Sequence, residues 1–314
     1  MSQPTPNRPV PAPDPVHDGR HALRDLPLER ESIPYVISLP EHGIATFVYT
    51  WVTKDNLAGA AFLAYGPGIG PEPLMEKIDG ITMGQDKNFD DWQVGPLHLK
   101  QDLQLKTAQL VARGKRVTLD VRFTAAHPAY AYSAHPEGCP DWAATDRLEQ
   151  AGTIEGSMVI DGKTYAINTT CARDHSWGTR DWDVPQHWKW LHAQAGPETC
   201  VHFWKIEARG RTVLRGYVLR DGLMAEVSDV EVDWENDDQY RHTSIDATVH
   251  DTAGRTTRVQ GQYFAHFPMP PVPSCTLMEG AMRCEIDGQA GVGWSEFMWP
   301  TDYLESLRAK AKMA

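Results

Sequence analysis

The sequence predicts an all-β protein: two tandem antiparallel β-barrels followed by a short C-terminal helix. Val117, Leu119, Val121 and Phe123 alternate with polar residues between Arg116 and Thr124. A period of two marks a strand with one buried and one wet face. Turn signals recur at hairpin spacing, with Asp161-Gly162, Asp221-Gly222 and Asp287-Gly288 each dividing two strand-like runs. That spacing yields about fourteen to eighteen candidate strands. An open sheet of that size would normally curl or split, so barrel-like halves are expected.

The elements follow in order. Residues 1–24 hold Pro4, Pro6, Pro9, Pro11, Pro13 and Pro15 and few large apolar side chains. Such a segment buries too little surface to offset its ordering entropy, and a disordered tail is expected. Ile44–Val52 is apolar on both faces, as suits a strand buried on both sides or facing a cavity; Tyr49 and Trp51 share one face. Leu97, Leu99, Leu103 and Leu105 keep odd spacing. Gly156–Ile160 and Lys163–Thr169 flank the Asp161-Gly162 turn. Pro185 interrupts a Trp-rich connection over Val184–His187, so the barrels are expected to span residues 25–185 and 186–314. Met269–Pro273 is expected to be a rigid loop, because proline cannot donate in a central strand. Asp302 caps the expected helix Tyr303–Lys312.

Composition excludes several classes. Lys and Arg number 30 against 42 Asp and Glu, a net charge of −12 in 314 residues. That balance repels phosphate backbones and anionic lipid surfaces, so no nucleic-acid partner is expected. No apolar run approaches the roughly 18 residues of a membrane helix, and the N-terminus lacks the pattern of a secretory signal. The cysteines Cys139, Cys171, Cys200, Cys275 and Cys284 are odd in number and none forms a C-x-x-C pair. Reduced thiols and a cytoplasmic location follow as expectations. There is no G-x-S-x-G elbow, phosphate loop or H-E-x-x-H, and Gly66-Pro-Gly68-Ile-Gly70 reads as a turn. His175, His187, His192 and His202 cluster, but none lies two residues from another, the spacing at which a strand offers ligands to one metal. No metal and no cofactor are expected, and a homo-oligomer is left open.

One segment carries chemical information: Cys171-Ala-Arg-Asp-His-Ser-Trp-Gly-Thr-Arg-Asp-Trp182. In a strand Arg173, His175 and Trp177 share one face, while Asp174 and Ser176 share the other. Buried guanidinium, imidazole and indole groups need polar partners. They form either a structural plug or the lining of a ligand cavity that Arg180 and Trp182 continue. Asp174 and His175 are neighbours and in a flat strand form no dyad, so Glu149, Glu279 and His202 are candidate partners. The tryptophans number 11, and five of them lie between Trp177 and Trp204.

Asp174-His175-Ser176-Trp177-Gly178, placed after a hairpin, resembles the D-H-x-W-G signature of carotenoid 1,2-hydratase (hydroxyneurosporene synthase) and of the related AttH-like, lipocalin-like proteins. Glu155-Gly156 and Glu279-Gly280 extend the likeness over residues 130–300. The resemblance implies tandem lipocalin-like barrels and an enzyme that hydrates, cyclises or rearranges polyene or isoprenoid-like molecules. On that basis the expected activity is a hydratase or dehydratase acting on a C=C bond of a hydrophobic small molecule. An isomerase or cyclase, or a non-catalytic apolar-ligand binder, is the alternative. Acid chemistry of this kind needs a proton donor, a shielded carbocation and a water. Asp174 is the expected acid, with His175 positioning it or handling the water. Trp177, Trp182 and Trp190 are expected to shield the cation. Arg173, Arg180, His202, Trp204, Tyr49, Trp51 and Glu279 complete the expected substrate-binding set.

Overall fold

The computed structural model describes residues 10–311, and Lys312, the last residue of the expected helix, lies outside them. Two antiparallel sheets account for nearly all of the described chain. The first is built from β1 (Glu29–Leu39), β2 (Ile44–Thr53), β3 (Leu57–Tyr65), β4 (Leu74–Thr82), β5 (Trp92–Val94), β6 (Leu97–Gln101), β7 (Thr107–Arg113), β8 (Val117–Ala125), β9 (Tyr130–Ala131), β10 (Asp146–Ile160) and β11 (Lys163–Thr179). Their order is β4-β3-β2-β1-β11-β10-β8-β7-β6-β5, with β9 beside β10. The second sheet closes as an eight-stranded barrel, β12 (Pro185–Ala195), β13 (Thr199–Ala208), β14 (Arg211–Arg220), β15 (Leu223–Asn236), β16 (His242–Asp251), β17 (Thr256–Val272), β18 (Cys275–Ile286) and β19 (Gln289–Pro300). Helix α1 (Thr301–Ala311) follows. No helix among the described residues is long and apolar enough to cross a membrane, and all five cysteines are free thiols.

Local rules explain most of this. In β8 the odd-numbered residues Val117, Leu119, Val121 and Phe123 are buried and the even-numbered ones are not, as the alternation requires. Asp161 and Gly162 adopt φ of 47° and 82°, the two left-handed positions of a tight hairpin turn, and Asp287-Gly288 repeats them at 48° and 82°. The first sheet is the nearly closed, barrel-like half that the sequence predicts. Its end strands β4 and β5 are not hydrogen-bonded neighbours, and side chains draw it shut. The Glu76 carboxylate on β4 accepts the backbone N–H groups of Lys115 and Arg116 at 2.8 and 2.7 Å. Trp92 on β5 donates its indole N–H to Thr50 Oγ1 on β2 at 2.9 Å. Inside lies one apolar core, including Ile33, Ile37, Phe62, Leu110 and Leu119.

Two expectations are corrected. Residues 1–9 lie outside the described part, but 10–24 are no loose tail. Pro15–Asp18 forms a 3₁₀ turn capped by Asp14, and Asp18 is fully buried. Its carboxylate accepts from Arg173 Nη2 at 2.9 Å, Gln101 Nε2 at 3.0 Å and Leu105 N at 2.9 Å. A guanidinium inside the first sheet requires a counter-ion, and the proline-rich segment delivers it. Met269–Pro273 likewise does not stay a loop: β17 runs on to Val272, with a register shift between Met269 and Val272 where the prolines disturb the ladder.

The two sheets meet through their outer faces. Phe47 and Tyr65 of the first, with Tyr132 in the turn after β9, pack with Trp188, Trp204 and Trp294 of the second in one apolar cluster. The barrel's own interior is filled separately by residues such as Leu191, Phe203, Met278 and Phe297. Ser38 Oγ donates to Gly293 O at 2.9 Å, and Arg283 donates to Pro40 O at 2.5 Å, tying the sheets together beside this seam.

Candidate active site

A cavity of about 540 Å³ opens in the seam, a volume suited to one small organic ligand. From the first sheet it receives Phe47, Tyr49 and Trp51 of β2, Met75 of β4, Arg147 of β10 and Asp174 of β11. Arg180 and Trp182 follow in the connection to the second sheet. The opposite wall carries Trp188, Trp190 and Trp204 of β12 and β13, then Glu279, Trp294 and Glu296 of β18 and β19. Phe267, Met269, Pro270 and Pro271 of β17 complete it. The double-sided apolarity of Ile44–Val52 now has its reason. Val48 and Val52 enter the sheet core, while Tyr49 and Trp51 face the cavity.

The alternation along β11 divides the expected site. Asp174 faces the cavity, so Arg173, His175 and Trp177 face the sheet interior; the β10–β11 ladder runs without a bulge that would turn them. His175 Nε2 donates to Glu31 Oε1 at 2.7 Å, and His21 Nδ1 donates to the same oxygen at 2.7 Å. His21 stacks on Trp177 with ring centroids 3.6 Å apart. His175 therefore neither positions Asp174 nor reaches a water in the cavity, and Trp177 shields nothing there. Arg173 is spent on Asp18. His202 lies one layer behind the cavity. Its Nδ1 donates to Leu191 O at 3.0 Å, and its Nε2 lies 3.0 Å from Tyr132 OH. Burial keeps this imidazole neutral, its pKa well below the usual value. The structure thus brings Asp174, Arg180, Trp182, Trp190, Trp204, Tyr49, Trp51 and Glu279 together at the cavity. It leaves Arg173, His175, Trp177 and His202 outside it.

Gly178 permits the departure of the chain from β11. Its φ is +119°, and a Cβ there would stand 2.3 Å from the backbone nitrogen of Thr145. Any other residue would push the strand off its neighbour and move Arg180 and Trp182 with it.

Two carboxyl pairs dominate the electrostatics. Glu149 and Asp174 are cross-strand partners, bridged by Arg147. Arg147 Nε donates to Glu149 Oε1 at 2.6 Å and its Nη2 to Asp174 Oδ2 at 2.8 Å. Glu149 Oε1 also accepts the Trp190 indole N–H at 2.9 Å and Tyr132 OH at 3.2 Å. Burial pushes Asp174 up to about 7 despite Arg147, and the charge of Glu149 adds to the rise. Burial also raises Glu149. Across the cavity Glu279 and Glu296 are likewise cross-strand partners. Trp294 Nε1 donates to Glu279 Oε2 at 2.6 Å, and Trp188 Nε1 donates to Glu296 Oε1 at 2.8 Å. Burial and the facing Glu296 hold Glu279 well above the usual carboxylate range; burial raises Glu296 too. A hydrogen bond shared with Glu296 also favours the protonated form of Glu279. A buried carboxyl biased toward its protonated form beside an aromatic cavity is equipped to donate a proton.

Sequence reasoning missed Arg147, Glu296, Trp188 and Trp294. The turns held the signal for the glutamate: counted outward from Asp287-Gly288, Glu296 stands opposite Glu279. A group able to hold a metal ion also escaped it. His21, Glu31 and His175 bring their ligand atoms within 4.8 Å of one another, in the first sheet and away from the cavity. They come from three separate segments, so spacing within one segment could not reveal them.

Fold and site define a class: a tandem β-barrel protein with an acid-bearing aromatic cavity between its halves. The chain belongs to the family described as "Domain of unknown function (DUF7064)", whose model matches residues 14–301. No curated protein matches it. Among solved structures it is similar to the AttH-like protein NE1406 from Nitrosomonas europaea, with a TM-score of 0.66 and 15% identity over 93% of this chain and 98% of that one. Kievitone hydratase from Nectria haematococca matches with a TM-score of 0.62 and 11% identity over 93% and 94% of the two chains. CghA bound to Sch210972 matches at 0.62 and 12%, over 88% and 89%. At these identities the likeness is one of fold.

Proposed function

We propose that the cavity is the active site of a lyase-type enzyme that adds water to, or removes it from, a C=C bond of a hydrophobic, isoprenoid- or polyene-like molecule. The observation that carries this reading is the buried Glu279 carboxyl, facing Glu296 across the strands and held well above the usual carboxylate range, in a cavity walled by indoles. Glu279 is a better proton donor than Asp174, whose anion is stabilised directly by Arg147. In the hydration direction Glu279 gives its proton to one alkene carbon and the π pair forms the new C–H bond. The neighbouring carbon becomes cationic and is stabilised by ring faces worth about 0.5–2 kcal/mol each. A water oxygen bonds to it and passes its proton to the Asp174 carboxylate, a group matched to neutral pH. Proton return to Glu279 resets the site. The D-H-x-W-G resemblance to carotenoid 1,2-hydratase and the hydratase among the structural neighbours support the assignment.

The test uses ¹⁸O-labelled water. Purified protein is incubated with a lipid extract of its source cells, beside the Glu279→Gln variant, and products are read by mass spectrometry. A compound that gains labelled water only with the unaltered protein is the expected result. A product of unchanged mass overturns hydration in favour of isomerisation or cyclisation through the same cation. A compound retained but chemically unchanged overturns catalysis in favour of binding.

A further inference from the structure

Two guanidinium groups in the cavity take no part in this proton chemistry. Arg180 donates from Nη2 to Ser176 Oγ at 2.8 Å and lies 5.5 Å from the Trp182 ring. Its Nε is buried with no hydrogen-bond partner among the described residues. Arg30 stands on β1 opposite Gly178, close to where the chain turns toward Arg180. It donates to Tyr49 OH at 2.5 Å and lies 5.7 and 6.0 Å from the Tyr49 and Trp51 rings. Neither arginine forms an ion pair among the described residues, whereas the other cavity cations do. Arg147 holds Asp174 and Glu149, and Lys77 lies 3.3 Å from Asp79.

The charges of the lining follow. Arg30, Lys77, Arg147 and Arg180 face Asp79, Asp174, Glu279 and Glu296. Arg147 is matched by Glu149 and Asp174 and Lys77 by Asp79, so among the described residues Arg30 and Arg180 are the cavity cations without an ion-pair partner. Burial and the charges of Arg147 and Arg30 work against ionised Arg180. A buried N–H left without an acceptor costs about 1–3 kcal/mol. No acceptor among the described residues relieves this; an anionic ligand would. The flat guanidinium fork fits a carboxylate, which offers two coplanar oxygens.

We infer that the substrate is an amphiphilic organic acid, its carboxylate received by Arg180 and Arg30 and its apolar body laid against the cavity indoles. The inference rests on reading the cavity as a substrate site and adds the substrate's class to it. A carboxylate seated there also fixes which end of the molecule enters first, and so which double bond meets Glu279.

A pair of probes of equal shape tests it: 1-naphthaleneacetic acid and its neutral amide, 1-naphthaleneacetamide, in equilibrium dialysis at pH 8. The acid is expected to bind the unaltered protein at least tenfold more tightly than the amide. Arg180→Gln should remove that preference while leaving the amide's affinity in place, and Arg30→Gln should reduce it. Equal affinity of the two probes, or no measurable binding of the acid, overturns the inference. So does a preference that survives in both variants. Since the unaltered protein alone decides between the probes, a variant that fails to fold does not spare it. A protein that prefers the acid yet adds no labelled oxygen to any compound keeps the inference and loses the hydratase. One that hydrates a neutral compound with no preference for the acid does the reverse.

Discussion

Asp174→Asn is expected to make the protein more stable at alkaline pH while removing activity. Asp174 is buried at the cavity with its pKa pushed from 3.8 to about 7. At 1.36 kcal/mol per pH unit, keeping it ionised in the folded state costs about 4 kcal/mol at pH 8. The sign follows from the direction of the shift. Between pH 4 and 7 the folded state binds the extra proton, so stability falls as pH rises through that window. Asparagine has nearly the shape of the protonated acid and does not ionise, so the variant escapes this loss. At about 2–4 °C per kcal/mol for a unit of 150–250 residues, the gain in Tm at pH 8 is up to about 8–16 °C. The gain should shrink below about 1 kcal/mol at pH 4, close to the unfolded pKa of 3.8, where the folded protein keeps the proton and the unfolded chain is about half ionised. Thermal unfolding followed by circular dichroism between pH 4 and 8 reads both values. A variant less stable than the parent at pH 8, or a gain independent of pH, would refute the burial of an ionised Asp174.

Glu279→Gln keeps an acceptor for the Trp294 indole but loses the acid, and turnover should fall about 10²–10⁴-fold with the fold intact by circular dichroism. Asp18→Ala leaves the Arg173 guanidinium buried and unpaired, and should cost about 3–5 kcal/mol in denaturant unfolding, although Asp18 lies in a segment whose composition suggests a tail. His175→Ala should lower Tm yet leave ligand affinity in the cavity unchanged, because the imidazole binds Glu31 on the other side of the sheet. Burial lowers the His175 pKa and its histidine partners lower that of Glu31, so both groups withdraw stability as pH falls below the histidine and then the carboxylate range. Hydrogen exchange in residues 14–24 should accelerate there.

The alternation that placed Val117–Phe123 on one face also separated Asp174 from His175, and both consequences appear in the structure. What the pattern lacks is the address of each face. The set at 173, 175 and 177 reads equally as a structural plug or a cavity lining, and it is interior because Asp18 and Glu31 arrive from distant segments to satisfy it. The cross-strand carboxyl pairs were accessible through turn arithmetic: Glu149 and Asp174 stand equally far from Asp161-Gly162, as do Glu279 and Glu296 from Asp287-Gly288. That Arg147 bridges the first pair, or that Trp188 and Trp294 donate to the second, depends on how two sheets dock. No local period encodes docking.

The cavity is a seam, and a seam is adjusted differently from a container. In a barrel that holds its ligand inside, a wider pocket means a hollowed core and lost stability. Here the apolar walls belong to the cluster between the sheets rather than to either interior, so cavity residues can be exchanged without repacking either interior. The width of the gap depends on how the two bodies are clamped. Ser38 and Arg283 fasten them without lining the cavity. Substitutions there would refit the protein to larger or smaller substrates while every residue that meets the substrate stayed the same.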